Sequence, residues 1–198
     1  MRHMNVTDVF GNLPTLETDR LRLRKISLRD ARDFFEYASN PEVTRHSTWS
    51  PHESIEDTKQ FINQVLNQYK AGHVAPWGIE HKADRKFIGT CGFGNWIHYH
   101  ARAEIGYALA RPYWSQGYMT EAVQCVIAFG FKTMKLNRIE ARCRLENIGS
   151  FRVMEKAGMT FEGVLRQHMY MKGDYHDLKL YAILHADFLN QEHLIQQV

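Results

Sequence analysis

The sequence has little of what marks membrane, secreted or disordered proteins. No apolar run approaches the ~20 residues of a membrane-spanning helix, and the opening MRHMNVTDVF lacks the apolar region of a signal peptide. The three cysteines, Cys91, Cys125 and Cys143, are odd in number and scattered, which predicts reduced core residues in a cytoplasmic protein. No internal repeat, low-complexity tract or linker is visible, so we expect one domain over residues 1–198.

The charged residues are nearly balanced and dispersed. Lys and Arg number 25 against 22 Asp and Glu, which gives a net charge of +3 and a pI near 8.7. Because the basic residues form no dense cluster, we predict no direct nucleic-acid partner, and no membrane partner either. The HYH run of residues 98–100 has no HExxH or Cys/His pair spacing near it, so no metal site is predicted.

Apolar periodicity predicts alternating strands and helices. In RLRLRKI, residues 20–26, Leu21 and Leu23 alternate with arginines, as in a half-buried strand, and Ser27 with Asp30 forms a capping-box-like helix start. Further strands are predicted over residues 103–109 and 138–144, with Ile139, Ala141 and Cys143 facing inward, and further helices over residues 54–69, from about residue 118, and over residues 147–157. Two strands about a turn at residues 172–175 end the chain, and together these elements predict a mixed α/β sheet.

The stretch RPYWSQGYMTEAV, residues 111–123, carries a possible anion site. A strand ending near Leu109 leads to a turn with Ser115 and Gly117, and a helix begins at about Tyr118 to Thr120. The first turn of a helix exposes unpaired N–H groups and the positive end of its dipole, which favours phosphate binding. Taken alone, a single strand–turn–helix with one glycine is better explained by ordinary packing.

A second stretch, ENIGSFRVMEKAGMTFEG, spans residues 146–163. Asn147 stands where a helix begins, and Ser150 lies one turn later on the same side. Taken alone, Asn147 is interpreted as a helix cap and Ser150 as a surface hydroxyl.

In this order and spacing, the segments AEIGYAL, WSQGYMTEA, RIEARC, ENxxSxxVxEKxGM and FEG resemble the GNAT superfamily of acyl-CoA-dependent N-acetyltransferases. Within it the chain looks most like the ribosomal-protein N-terminal acetyltransferases. The resemblance covers about residues 16–188, from LETDRLRLR to KGDYHD. It implies the α/β (α+β) GNAT fold, whose central mixed, mostly antiparallel twisted sheet has about six to seven strands and is flanked by about four helices.

The resemblance implies acetyl-CoA as the co-substrate and no metal. The backbone N–H groups of one loop would hold the coenzyme A pyrophosphate: Ser115, Gln116, Gly117, Tyr118, Met119 and Thr120. The family usually has glycine at the position of Ser115 and more often alanine at that of Met119. The pantetheine arm would lie between two splayed strands, residues 104–109 and 138–143, near Leu109 and with a hydrogen bond from Asn147.

Direct attack of an amine on a thioester needs a proton acceptor for the amine, and the leaving thiolate benefits from a proton. By resemblance, Glu104 or Glu162 would be the general base, and the sequence does not rank the two. A structural role for Glu104, in an ion pair with a neighbouring arginine, weighs equally. Ser150 is the best-placed donor to the sulfur, with Tyr170 or Tyr175 as an alternative acid.

The acceptor is predicted less sharply. A protein or peptide N-terminal α-amine, of a ribosomal or another protein, is the first prediction. The alternatives are a small-molecule amine (polyamine, antibiotic or amino acid) and a non-catalytic acyl-CoA-binding regulatory domain. In the family, residues 40–54 and the final hairpin line the acceptor groove, where His46, Trp49 and Tyr175 would frame the amine and Arg45 argues against a strongly cationic acceptor. Acyl-chain preference and a homodimer are left open.

Overall fold

The centre of the fold is one eight-stranded sheet in the order β1-β2-β3-β4-β5-β6-β8-β7. The structure is a computed structural model and describes residues 6–196. The strands are β1 (Leu16–Glu17), β2 (Leu21–Arg24), β3 (Trp77–His81), β4 (Lys86–Ile97), β5 (Arg102–Leu109), β6 (Arg138–Arg144), β7 (Thr160–Met171) and β8 (Asp174–Leu184). Only β5 and β6 pair in parallel, and the other neighbours are antiparallel. The predicted mixed, mostly antiparallel sheet is confirmed, with eight strands instead of six to seven, since the two residues of β1 are too few to show a period.

Four predicted helices are present, and three more occur within residues 6–196. The helices are α1 (Val6–Phe10), α2 (Ala31–Ala38), α3 (Pro41–Thr44), α4 (Ile55–Ala71), α5 (Tyr118–Lys132), α6 (Ile148–Lys156) and α7 (His185–Gln196). The helices predicted from periodicity are α2, α4, α5 and α6. Helices α1 and α3 are only about one turn long. The last strand was predicted to continue to residue 188, but it ends at Leu184 and α7 follows, where Asp187 accepts a hydrogen bond from the Leu184 N–H (3.0 Å).

Helices cover both faces of the N-terminal half of the sheet. Phe34 of α2 stacks on Phe87 of β4 with ring centroids 5.2 Å apart, on the face that α4 also covers. On the opposite face, Phe129 of α5 meets the fully buried Trp77 of β3 edge-on at 5.3 Å. Buried residues from Val9 to Phe188 form one contiguous core.

In the C-terminal half, the alternation of β6 separates two very different faces. Ile139, Ala141 and Cys143 face inward, as predicted, and are buried on the side of the sheet that α5 and α6 cover. The intervening side chains point the other way, because successive residues of a strand face opposite sides of the sheet. We call this side the charged face, defined by Glu104, Arg138, Glu140, Arg142, Arg144, Glu162 and His168.

Candidate active site

Strands β5 and β6 separate partway along their length. Their parallel register covers Arg102–Glu104 against Arg138–Glu140 and ends there. Strand β5 continues to Leu109 on the β4 side, and β6 continues to Arg144 on the β8 side. A V-shaped gap therefore opens between the two strands, as predicted, and β5 presents backbone N–H and C=O groups along it to an extended ligand.

The loop after β5 has the backbone of an anion cradle. Ser115 adopts φ +60° and Gly117 adopts φ +81° and ψ −3°, so both lie in the left-handed region. Ser115 thus takes the conformation for which the family uses glycine. Left-handed residues within such a turn direct successive N–H groups to one side and form a concave anion site.

The helix that follows adds further free donors. Its first hydrogen bond runs from the Glu121 N–H to the Gly117 carbonyl (3.0 Å), so the N–H groups of Tyr118, Met119 and Thr120 have no acceptor within the helix. The Met119 side chain is buried in the core, leaving its N–H as the group that faces the loop. The dipole of this 15-residue helix favours an anion at the same point.

Arg20 fixes this loop from outside. Its guanidinium donates through Nη1 to the Gln116 carbonyl (3.1 Å), lies 4.3 Å from the Tyr118 ring centroid, and donates through Nε to Glu121 Oε2 (2.6 Å). Glu121 also accepts from Thr18 Oγ1 and from the Arg20 N–H (3.0 Å). Burial acts to raise the pKa of Glu121, but the hydrogen bonds from Thr18 and Arg20 outweigh it and lower that pKa.

On the α6 side of the gap, Asn147 and Ser150 meet a residue that the sequence analysis missed. Asn147 Oδ1 caps α6 by accepting from the Ser150 N–H (3.2 Å), so the predicted cap is present and only its Nδ2 can donate to a ligand. The Tyr107 hydroxyl lies 3.1 Å from Ser150 Oγ and donates to the Ser150 carbonyl (3.0 Å). Burial raises the pKa of Tyr107 above its usual range. Inward alternation with Ile105 was the signal that could have revealed Tyr107.

Glu104 lies on the charged face, where β5 leaves β6. Arg142 holds its carboxylate with both oxygens, Nε donating to Oε1 at 2.8 Å and Nη2 to Oε2. The Arg142 Nη1 also contacts His168 Nε2. The arginine pairing that the sequence analysis weighed for Glu104 is therefore present.

Glu162 lies at the other end of β6. Arg138 donates two hydrogen bonds to its carboxylate, from Nη1 to Oε1 at 2.7 Å and from Nη2 to Oε2. These hydrogen bonds lower the pKa of Glu162. Arg138 and Arg142 are four residues apart, about 13 Å along a strand. The structure therefore brings Glu104 to the gap and holds Glu162 at the end where β5 and β6 are still paired.

The predicted acceptor walls approach each other above the charged face. The Lys172 ammonium, in the β7–β8 turn, donates to the Thr44 carbonyl of α3 (2.7 Å). That turn is shorter than predicted: Lys172 (φ +52°) and Gly173 (φ +91°) alone connect the strands. Tyr175 packs on Tyr170 at 5.0 Å, and both rings are exposed at the hairpin tip.

No group of three or more metal-ligating side chains occurs within residues 6–196, and no helix there is long and apolar enough to cross a membrane. The HYH run forms a 3₁₀ turn, His98–His100, in which Tyr99 and His100 are exposed and His98 is half-buried.

A strand pair that splays beside an N–H-lined helix start is the architecture of an acyl-CoA-dependent acyltransferase. Residues 20–160 match the family model described as "Acetyltransferase (GNAT) domain". The chain belongs to this family and is an acetyl-CoA-dependent N-acetyltransferase, so the resemblance seen in the sequence is confirmed.

Two relatives of this chain are named as acetyltransferases. The chain is 40% identical over 171 residues to the uncharacterized N-acetyltransferase YoaA of Bacillus subtilis, covering 86% of this chain and 97% of that one. It is 30% identical over 130 residues to the ribosomal-protein-serine acetyltransferase of Escherichia coli, covering 66% and 72% of the two chains.

Solved structures share the fold. A GNAT-family acetyltransferase from Bacillus anthracis superposes with a TM-score of 0.78 at 31% identity, covering 87% of this chain and 99% of that one. RimL, a ribosomal α-N-protein acetyltransferase in complex with coenzyme A, superposes with a TM-score of 0.77 at 23% identity, covering 86% and 98%.

Proposed function

We propose that this protein acetylates the α-amine at the N terminus of a protein or peptide by direct attack of that amine on acetyl-CoA. The observation that carries the proposal is the gap between β5 and β6, which has a hydroxyl pair on one side and a carboxylate on the other. The ribosomal-protein-serine acetyltransferase among the relatives supports a protein acceptor.

The residues present fit the cofactor. The N–H groups of residues 115–120 face one side of a left-handed loop at a helix start, which suits a pyrophosphate. The free edge of β5 up to Leu109 suits the amides of the pantetheine arm, and Asn147 Nδ2 lies at the start of α6 beside it. The acetyl thioester bound there supplies the activated acyl group.

Ser150 and Tyr107 are the proposed proton donors to the leaving sulfur. Their hydroxyls form one hydrogen-bonded pair on the side where α6 packs. Burial raises the pKa of Tyr107, so its hydroxyl is protonated at neutral pH. It can replace a proton given up by Ser150 when its O–H turns from the Ser150 carbonyl to Ser150 Oγ.

Glu104 is the proposed base, in preference to Glu162. Its carboxylate stands at the opening of the gap on the charged face, whereas Glu162 is held by Arg138 about four residues further back along β6. An α-ammonium has a pKa of about 8, so a modest fraction is already neutral at pH 7 and Glu104 needs only to accept a proton during attack. Arg142, which pairs with Glu104, positions the carboxylate.

A thiol-release assay with acetyl-CoA tests the proposal. The acceptors are peptides that begin with Ser, Ala or Met, polyamines, an aminoglycoside and free amino acids. Turnover confined to peptides, with the acetyl group located on the N-terminal nitrogen by mass spectrometry, supports it. Turnover confined to a small-molecule class contradicts the peptide acceptor and leaves the transferase activity intact.

A further inference from the structure

Two buried polar atoms without a partner belong to residues that interact electrostatically beside the active site, His46 and Arg144. Among residues 6–196, the buried side-chain nitrogens and oxygens that make no hydrogen bond are His46 Nδ1, His98 Nε2 and Arg144 Nε. Two of them, on His46 and Arg144, belong to the acceptor side of the protein. Buried polar atoms are almost always satisfied, so these two nitrogens are candidates for contact with a bound group.

Arg144 reaches this place from the wide end of the gap. It is the last residue of β6 and points to the charged face, while its neighbour Cys143 points to the opposite face and approaches Ser150. One residue of the strand thus separates the proposed sulfur position from the Arg144 guanidinium. A ligand bound by Arg144 would therefore lie on the charged face at the same end of β6.

His46 approaches from the other wall, just after α3. Its pKa is lowered, first by burial and then by the charge of Arg144, with Arg45 and Lys172 adding to the effect and Glu146 opposing it. His46 is therefore neutral near pH 7 and offers a ring nitrogen without adding a charge of its own.

The charges in this region are unequal. Arg144, Arg45 and Lys172 are positive, and Glu146 is the carboxylate that acts against them on His46. Glu146 pairs with Arg144 through Nη2 and leaves Nε free. Lys172 donates to a backbone carbonyl and keeps its charge uncompensated by a carboxylate at that contact. An incoming carboxylate can balance this excess and accept a hydrogen bond from Arg144 Nε.

We propose that His46, Arg144 and Lys172 form an anion pocket that binds a carboxylate of the acceptor close to its reactive amine. The inference rests on the proposed acetyl transfer and narrows its substrate class. The carboxylate has two sources, the free α-carboxylate of an amino-acid-like acceptor or an acidic side chain next to the N terminus of a peptide. Polyamines and other multiply cationic acceptors are disfavoured by the same charges.

Matched acceptor pairs test the pocket and separate the two sources. One pair is a peptide beginning Ser-Glu and the same peptide beginning Ser-Gln. The other pair is a free amino acid and its amide. The ratio of kcat/KM, acid over amide, is measured at saturating acetyl-CoA for the wild type and for Arg144→Met, Arg144→Lys and the control Arg29→Met, which changes an exposed arginine of the first 3₁₀ turn.

We expect the wild type to favour the acid about 10-fold or more in one pair, which identifies the source of the carboxylate. Arg144→Met should bring that ratio to about one, Arg144→Lys should keep part of it, and Arg29→Met should leave it unchanged. A wild-type ratio near one in both pairs, or a ratio that survives in a folded Arg144→Met variant, overturns the pocket.

Failure of the proposed function is distinguishable from failure of the pocket. If no acceptor turns over, binding of an N-acetylated amino acid is measured by calorimetry with coenzyme A present, and His46 is followed by NMR. A bound carboxylate should raise the pKa of His46 in the wild type and bind at least about 10-fold more weakly to Arg144→Met. Equal binding to both proteins, or a His46 resonance that does not respond, refutes the pocket independently of activity.

Discussion

The Tyr107 hydroxyl and the Ser150 hydroxyl lie 3.1 Å apart, on a strand and a helix that meet beside the gap. The two residues are 43 positions apart in sequence, and the contact depends on α6 packing over the buried face of β5 and β6. In the proposed mechanism this pair would supply the proton that the leaving thiolate takes up.

Removing either hydroxyl should slow acetyl transfer. Because the two groups act as a unit, we expect Tyr107→Phe and Ser150→Ala each to lower kcat about 10²-fold, and the double variant to fall little further. An unchanged KM for acetyl-CoA in steady-state kinetics would assign the loss of kcat to proton donation and not to cofactor binding. The control is Tyr99→Phe, since the side chain of Tyr99 is 92% exposed and lies in the 3₁₀ turn His98–His100, outside the proposed proton-donor pair. Fully additive single losses would contradict a shared role.

The two glutamates should respond differently to neutralisation. We expect Glu104→Gln to lower kcat/KM about 10²-fold. Glu162→Gln should leave kcat/KM within about twofold and lower the free energy of unfolding by at most ~1 kcal/mol, because the ion pair of Glu162 with Arg138 is partly solvated. Chemical denaturation measures the second effect. A large kcat loss in Glu162→Gln with an intact Glu104→Gln enzyme would reverse the assignment.

Much of the fold, and the turn and helix start at residues 115–120, could be predicted from local patterns, whereas coenzyme A binding there was implied by the family resemblance. The alternation of RIEARCR gave the bounds of β6, and the short spacing from Ser115 to Thr120 gave the loop and helix start. These features depend on residues near each other in sequence, and apolar periodicity together with helix-start chemistry carries them.

Long-range partners could not be predicted in this way. Nothing near Glu104 in sequence shows that Arg142 pairs with it, and nothing near Arg20 shows that it reaches Gln116. Tyr107 appears in an apolar strand as an ordinary core residue, and its partner is set by how α6 crosses the sheet. Such contacts arise from packing between distant elements, which a single sequence does not encode locally.

The left-handed backbone at Gly117 should matter for cofactor affinity. A Cβ there would meet no atom closer than Arg20 Nη2 at 3.5 Å, so Gly117→Ala tests φ +81° and not space. A non-glycine residue in this region costs about 1–2 kcal/mol. We expect the free loop of the Gly117→Ala variant to relax out of the left-handed region, so that binding must restore it at this cost and coenzyme A binds about 5- to 30-fold more weakly by calorimetry.

Gly173→Ala is the matched control for that experiment. Gly173 also has a positive φ, +91°, with no atom within 4 Å of the added Cβ, but it lies in the β7–β8 turn. It should lose a similar amount of stability and keep its affinity for coenzyme A. Equal loss of affinity in both variants would mean that general destabilisation, and not the loop, explains the Gly117 result.

Glu121, which pairs with the Arg20 that holds the loop of residues 115–120, should make the stability of the folded protein depend on pH in the acid range. Its pKa in the folded protein is lowered, the hydrogen bonds from Thr18 and Arg20 outweighing burial. The contribution is therefore complete above the unfolded pKa of about 4.3 and is lost as the pH falls through the folded value. We expect Glu121→Gln to lose about 1–3 kcal/mol at pH 7, and to show a shallower decline than the wild type between about pH 5 and pH 3. Urea denaturation across that range measures both, with Glu56→Gln, an exposed pair with Lys59, as the near-neutral control. Parallel pH profiles for Glu121→Gln and the wild type would refute this linkage.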